Sequence, residues 1–340
     1  MGKGSQLGTW LVTGGAGFIG TNLVLRLSDL QQRVVVIDDL SRPGSDINAD
    51  RFRDRSGIVL VNGDVADSHL MRSLGEQYTE VRSIVHLAGQ VSLLHSINDP
   101  IDDFRRNALG SIVLLETQRK FWPTSRSIFA STNKVYGDLS SVPIEELPTR
   151  YRPSDGQIAF GTDLPISLQG GYSCSKGSAD SYFRDYASTY DLDTLTLRQS
   201  AVCGAFQNAS ADQGWASFLT KQVLSRRYVQ LNGVGKQVRD LLDVEDLVDL
   251  YVRIMEVSTL TSRCFNVGGG LTRDISLLEF FSELSQRGEK PEFRPGPFRP
   301  HDQMYFVADI EPLRVELGWT PRYELPQIID RLVEYEKVSQ

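Results

Sequence analysis

The stretch "TWLVTGGAGFIGTNLV", residues 9–24, restricts the fold more than any other part of the chain. An apolar run leads straight into Gly14, Gly15, Gly17 and Gly20, and the chain then returns to apolar, helix-forming residues. Glycine weakens regular structure, so such a cluster implies a backbone geometry that needs it. Gly15-x-Gly17-x-x-Gly20 between a strand and a helix is the spacing of a turn that brings a pyrophosphate to a helix N-terminus. There, free N–H groups and the helix dipole favour an anion. The second apolar run, "RVVVIDD", ends in Asp38, placed to accept hydrogen bonds from an adenosine ribose and to repel a 2′-phosphate. NAD is therefore the expected cofactor, with Arg42 close by as the residue that would favour NADP.

Short, β-branched, near-continuously apolar runs recur through the first half: "TWLVTG", "RVVVIDD", "IVLVNGD", "SIVHLAG", "SIFAST" and "TLTLRQS". Amphipathic helical stretches such as "GTNLVLRLSDL" and "NALGSIVLLETQRKF" separate them. This alternation predicts an α/β fold, a doubly wound parallel sheet of the Rossmann type covered on both faces. After residue 200 the pattern turns irregular, with "NGVGKQ" and "RPGPFRPHD" as turns. The expected division is a dinucleotide-binding domain over 1–200, with 239–270 returning to it, and a smaller mixed α/β substrate lobe from 201–238 and 271–340.

Composition excludes several partners. A net charge of −7 disfavours nucleic acid and anionic membrane surfaces. No apolar run approaches the roughly 20 residues needed to cross a bilayer. The N-terminal decapeptide lacks the apolar region of a signal peptide, and Gln6 breaks the myristoylation pattern. Cys174, Cys203 and Cys264 have neither disulfide-framework nor zinc spacing, so no metal is expected and the thiols read as those of a reducing cytoplasm.

The chemistry centres on "GYSCSKGSADSYF". Tyr172 and Lys176 lie one helical turn apart and share a face. A free phenol, with a pKa of about 10, is a poor base at neutral pH. A neighbouring ammonium and the positive ring of an oxidised nicotinamide both favour its phenolate. Ser131 and Thr132 end the strand "SIFAST", at the edge where open α/β sheets bind ligands. A hydroxyl there would hold a substrate hydroxyl against Tyr172. The resulting hydroxyl–phenol–ammonium relay suits reversible removal of a proton and a hydride from a secondary alcohol. Asn107, polar in a mostly apolar helix, reads either as a cofactor-side residue or as a helix-packing hydrogen bond.

Together TGGAGFIG, Asp38, NGD at 62–64, HLAG at 86–89, STNKVYG at 131–137 and YSCSK at 172–176 resemble the extended short-chain dehydrogenase/reductase family, over nearly the whole chain. The resemblance implies an enzyme acting on a nucleotide-diphosphate sugar. Its implied catalytic residues are Tyr172 as acid/base, Lys176 as electrostatic partner and Thr132 as substrate-orienting hydroxyl. Gly14, Gly17, Phe18, Ile19 and Gly20, then Asp64, Val65, Leu87 and Ala88, would line NAD beside Asp38 and Asn107, with Asp64 at the adenine edge. Arg239 and Arg299 would hold the diphosphate, a role that suits the bidentate guanidinium fork. The family's four-helix interface implies a homodimer built on helices beginning near Asn107 and Gly177.

Three features narrow the branch. Asn133 and Lys134 follow Thr132 where the 4,6-dehydratases carry an acidic pair. Ala201 stands where hexose 4-epimerases have Asn in R-x-x-N, and a long insertion precedes Tyr172. With "DQGW" at 212–215, "GKQVRD" at 235–240 and "HDQMYFVADI" at 301–310, the chain resembles the CDP-paratose 2-epimerase branch. Asn133, Lys134, Ser200 and Gln207 are then the expected sugar-side residues. His95 reads as a solvated loop histidine or as a pocket residue. The expected activity is epimerisation at C2 of a CDP- or UDP-linked hexose or deoxyhexose. The alternatives are a 4-epimerase of a UDP-hexose or UDP-uronic acid, and a catalytically silent nucleotide binder.

Overall fold

A computed structural model describes residues 8–338, so the reading of the N-terminal residues as leaderless concerns positions outside the described residues. Seven strands form the central sheet: β1 (Thr9–Thr13), β2 (Arg33–Asp38), β3 (Ile58–Asn62), β4 (Val81–His86), β5 (Arg126–Thr132), β6 (Asp193–Gln199) and β7 (Cys264–Val267). Their order is β3-β2-β1-β4-β5-β6-β7, and every pairing is parallel. The order reverses between β1 and β4, which opens a crevice at the carboxyl ends of those strands. The expected doubly wound sheet is present, and "CFNVGGG" returns to it as β7.

Alternation along each strand feeds two cores. Val12, Val34 and Val36 pack with Leu23, Val24 and Leu27 of the helix Phe18–Asp29 on one face. Leu11, Val35 and Ile84 pack with Leu114, Leu115 and Phe183 on the other. Each such fully buried side chain contributes about 1.5–3 kcal/mol. A smaller mixed sheet is built on Val238–Asp243, antiparallel to Asp274–Ser276 and parallel to Tyr305–Phe306 and Ala201–Cys203. The helices Trp215–Leu224, Leu277–Gln286 and Leu325–Val338 supply the core beneath it. No described helix is long and apolar enough to cross a membrane.

One buried ion pair ties the catalytic helix to the sheet. Asp180, on the helix Gly171–Thr189, is 0 % exposed and accepts two hydrogen bonds from Arg198 of β6, at 2.9 and 3.0 Å. Ser131 at the end of β5 donates to the same carboxylate at 2.7 Å. Arg198 also donates to the Tyr136 hydroxyl at 3.0 Å, which donates to Asn266 of β7 at 2.7 Å. Removing one member of a buried pair strands the other charge, at about 3–5 kcal/mol. Asp180→Asn is therefore expected to lower stability by that amount in urea unfolding. A loss below about 1 kcal/mol, the range of an exposed pair, would contradict the assigned role.

Candidate functional site

The glycine turn is packed so closely that side chains cannot enter it. Gly14 has φ +67°, and a Cβ there would lie 2.6 Å from the Ala88 nitrogen. A Cβ on Gly20 would sit 2.3 Å from the Gly14 carbonyl oxygen. Gly17 precedes the helix Phe18–Asp29 and offers no side-chain cap, which leaves the first-turn amides around Phe18 and Ile19 for an anion. Asp38 braces this turn from β2 by accepting from the amides of Ala16 and Leu40, each at 2.9 Å. Burial raises its pKa while those two amides pull it down.

Further along the crevice, Leu87 and Ala88 follow β4, with the Leu87 amide donating to the Thr13 carbonyl at 3.0 Å. Val65 is buried, and Asp64 accepts from the Ala66 amide at 2.9 Å and pairs with Arg105. The uncapped helix start, the glycine cradle and the carboxylate at the end of β2 fit a dinucleotide that carries ribose hydroxyls. Asn107, 1 % exposed, lies in a π-helical turn over Arg105–Leu109. Its amide donates to Asp103 and Ser175 at 3.2 and 2.9 Å, and its oxygen accepts from the Gln90 amide at 2.8 Å. These are packing contacts that set the turn after β4.

Thr132, Tyr172 and Lys176 converge at the end of β5. The Thr132 hydroxyl accepts from the Lys134 amide at 3.2 Å and faces the Tyr172 phenol closely enough to favour its ionised form. Burial pushes the Tyr172 phenol up to about 12; the Thr132 contact and the Arg42 charge pull it down, while Asp103 pushes it up. Lys176 donates to the Ala130 carbonyl at 2.6 Å, and its ammonium lies 4.2 Å from the Phe129 ring centroid. Burial pulls it down to about 7, against the raising charges of Asp180 and Asp103. Burial thus works against the charged form of both groups, and nearby charges of opposite sign work against that effect of burial.

The next residues lead into a cationic cluster. Asn133 donates to Gln303 at 2.8 Å, and Gln303 donates back to the carbonyls of Asn133 and Gly137. Lys134 and Arg239 both pair with Asp302, at 3.1 and 2.9 Å. Lys134, Arg239 and Arg299 hold the Asp302 carboxyl below its ordinary range. Arg299 lies 3.8 Å from the Asp212 carboxylate and donates to carbonyls of the same loop. Three cations thus face two carboxylates, which leaves the cluster net positive.

Two expected sugar-side residues make other contacts. Ser200 donates to the buried Asp240, whose carboxyl burial raises to about 6. Gln207 lines a pocket with Ala16, Gly17, Phe18 and Arg42 beside the glycine turn, and accepts from Ser217 at 2.5 Å. Asn48 and Asn22 donate to the carbonyls of Phe206 and Ala205, fastening that loop across the turn. His95 belongs to a short helix, Leu93–Asn98, and bonds Asp102 at 2.9 Å. Sequence reasoning missed Asp302, Gln303 and Asp103. The "HDQMYF" string carried the first two, but its contacts with Asn133 and Lys134 come only from the fold.

Residues 10–268 match the NAD dependent epimerase/dehydratase family. The chain is 34% identical to the CDP-paratose 2-epimerase of Salmonella typhi, across 96% of this chain and 98% of that protein. It is 31% identical to the UDP-glucose 4-epimerase of Mycolicibacterium smegmatis, across 96% and 97%. The UDP-glucose 4-epimerase of Thermus thermophilus, solved in complex with NAD, superposes with a TM-score of 0.82 at 26% identity, covering 98% of this chain and all of that one. The glycine turn, the braced Asp38 and these likenesses agree: the chain belongs to the NAD-dependent epimerase/dehydratase family, as an enzyme whose cofactor is NAD.

Proposed function

We propose that the protein epimerises a nucleotide-linked hexose or deoxyhexose at C2, by oxidising and re-reducing the same carbon. The observation that carries this reading is the convergence of Thr132, Tyr172 and Lys176 at the end of β5, with Asn133 and Lys134 rather than an acidic pair following Thr132. The likeness to a CDP-paratose 2-epimerase supports C2 as the inverted carbon and CDP as the nucleotide. The UDP-glucose 4-epimerase likeness supports a second reading, inversion at C4 of a UDP-sugar.

In the mechanism, the Thr132 hydroxyl holds the sugar hydroxyl against Tyr172, and Tyr172 takes its proton. The Lys176 ammonium stabilises the phenolate. NAD, held by the glycine turn and Asp38, would supply a hydride acceptor and, once reduced, the hydride donor for the return step. The ketosugar then presents its other face, and Tyr172 returns the proton to the same oxygen. Arg239, Arg299 and Lys134 would hold the diphosphate, which would displace Asp302 and Asp212 from these cations. This assigns Lys134 to phosphate rather than sugar, and draws the nucleotide-sugar side from both lobes, with Arg239 on the Val238–Asp243 strand of the smaller sheet.

A homodimer follows from surface composition. Ile97, Ile101 and Phe104 are 64, 80 and 55 % exposed, Leu168 is exposed just before the neighbouring helix Gly171–Thr189, and Tyr182 is exposed on it. So many large apolar side chains on one side of a chain mark an association surface. Light scattering at micromolar concentration should give twice the chain mass, and a monomer would contradict the assignment. The activity itself is tested by product analysis on CDP- and UDP-linked sugars. We expect inversion at C2 of a CDP-sugar and a loss of roughly 10² or more in turnover for Tyr172→Phe. Inversion at C4 of UDP-hexoses would establish the second reading, and near-normal turnover of the Phe variant would remove Tyr172 from the relay.

A further inference from the structure

Asp103 is a carboxylate in the wrong place for a surface helix. It lies in Pro100–Phe104 and is 1 % exposed, without an ion-pair partner in contact among the described residues. Its oxygen accepts from the Gln90 side chain at 2.7 Å and from Asn107 at 3.2 Å. Burying such a group is costly unless it is bonded and has a use for its charge.

The use is visible in what surrounds it. Asn107 and Ser175 are bonded to each other at 2.9 Å, and Ser175 donates to the Tyr172 carbonyl at 3.2 Å. A Cβ on Gly89 would lie 2.5 Å from the Asn107 oxygen and 3.9 Å from the Lys176 ammonium, so these groups crowd one point. We propose that Asp103 is a positioning residue of the relay, a buried counter-charge near Lys176 that also fixes, through Gln90, Asn107 and Ser175, the turn carrying Tyr172. The proposal rests on Tyr172 and Lys176 being the working pair.

Charges reach the pair from every side. Lys176 meets Asp180 on its own helix, Asp103 across from it and His86 at the end of β4; burial holds His86 neutral, at about 3. Tyr172 meets Thr132, Asp103 and Arg42. Asp103 raises both members of the pair, so without it both release protons more readily. At neutral pH, Lys176 would then lose much of the charge that stabilises the phenolate.

Asp103→Asn keeps the shape and removes the charge. We expect the acid limb of its kcat–pH profile to move about one unit toward lower pH, and Asp103→Glu to bring it back. In cofactor-free protein with [ε-13C]lysine, the Lys176 resonance, assigned with Lys176→Met, should titrate lower in the Asn variant by a similar amount. A folded Asn variant with an unmoved resonance and profile overturns the proposal. Should that variant not fold, 13C NMR of the wild-type carboxyl carbons decides. An ionised Asp103 at pH 7.5 supports the role, and a protonated one overturns it. The lysine titration needs no turnover, so failure here is distinct from failure of Tyr172 as acid/base, which Tyr172→Phe reports.

Discussion

Arg198 carries a full positive charge in the centre of the protein, and the architecture around the site follows from how that charge is met. A guanidinium cannot shed its proton to escape burial, so Asp180 must remain opposite it. Asp180 can stay there only if its helix crosses β5 and β6 at a fixed height, with Ser131 and Tyr136 completing the hydrogen bonds. Lys176 lies one turn before Asp180 and Tyr172 one turn before Lys176. The same contact that satisfies Arg198 therefore sets Tyr172 beside Thr132. Asn266 extends the arrangement to β7, a strand the chain reaches only after building the first part of the smaller lobe.

Burial has opposite consequences for structure and chemistry here. It fixes Tyr172 and Lys176 in place, but raises the phenol to about 12 and lowers the ammonium to about 7. A relay that must exchange a proton near neutrality needs positive charge near the phenol and negative charge near the lysine. Arg42 and the bound cofactor's ring meet the first need, and Asp180 and Asp103 the second. The cationic cluster at Asp302 follows the same logic. Its carboxylates keep Lys134, Arg239 and Arg299 together, and under the proposed function a diphosphate would replace them.

Local regularity made much of this legible from sequence. The apolar runs became β1–β6, and the glycine turn stands where its spacing placed it, because strand period and glycine geometry are encoded within a few residues. Pairing across the chain is not encoded that way. Asp103 sits in "DPIDDFRRN", where nothing in the local pattern sets it apart from Asp99 and Asp102; the contacts with Gln90 and Asn107 that place it in the core come from the fold. Lys134 reads as sugar-facing because it follows Thr132, and its bond to Asp302 depends on how the second lobe folds back. His95 reads as a loop residue because "QVSLLHSIND" is too short to show helical period, and Ser92 caps a single helical turn there.

The central claim is that one carbon is oxidised and reduced again by Thr132, Tyr172, Lys176 and NAD. Direct oxidation of the inverted carbon needs only that relay, and its C–H hydrogen never meets solvent. Forming the ketone at a neighbouring carbon would require an enolate, and so a base on the far side of the sugar. Asn133 and Lys134 offer no carboxylate for that task. The most direct measurement is turnover of the true nucleotide sugar in deuterated water, read by mass spectrometry and NMR. The product should carry no deuterium at the inverted carbon. Stoichiometric deuterium at that position would contradict the mechanism.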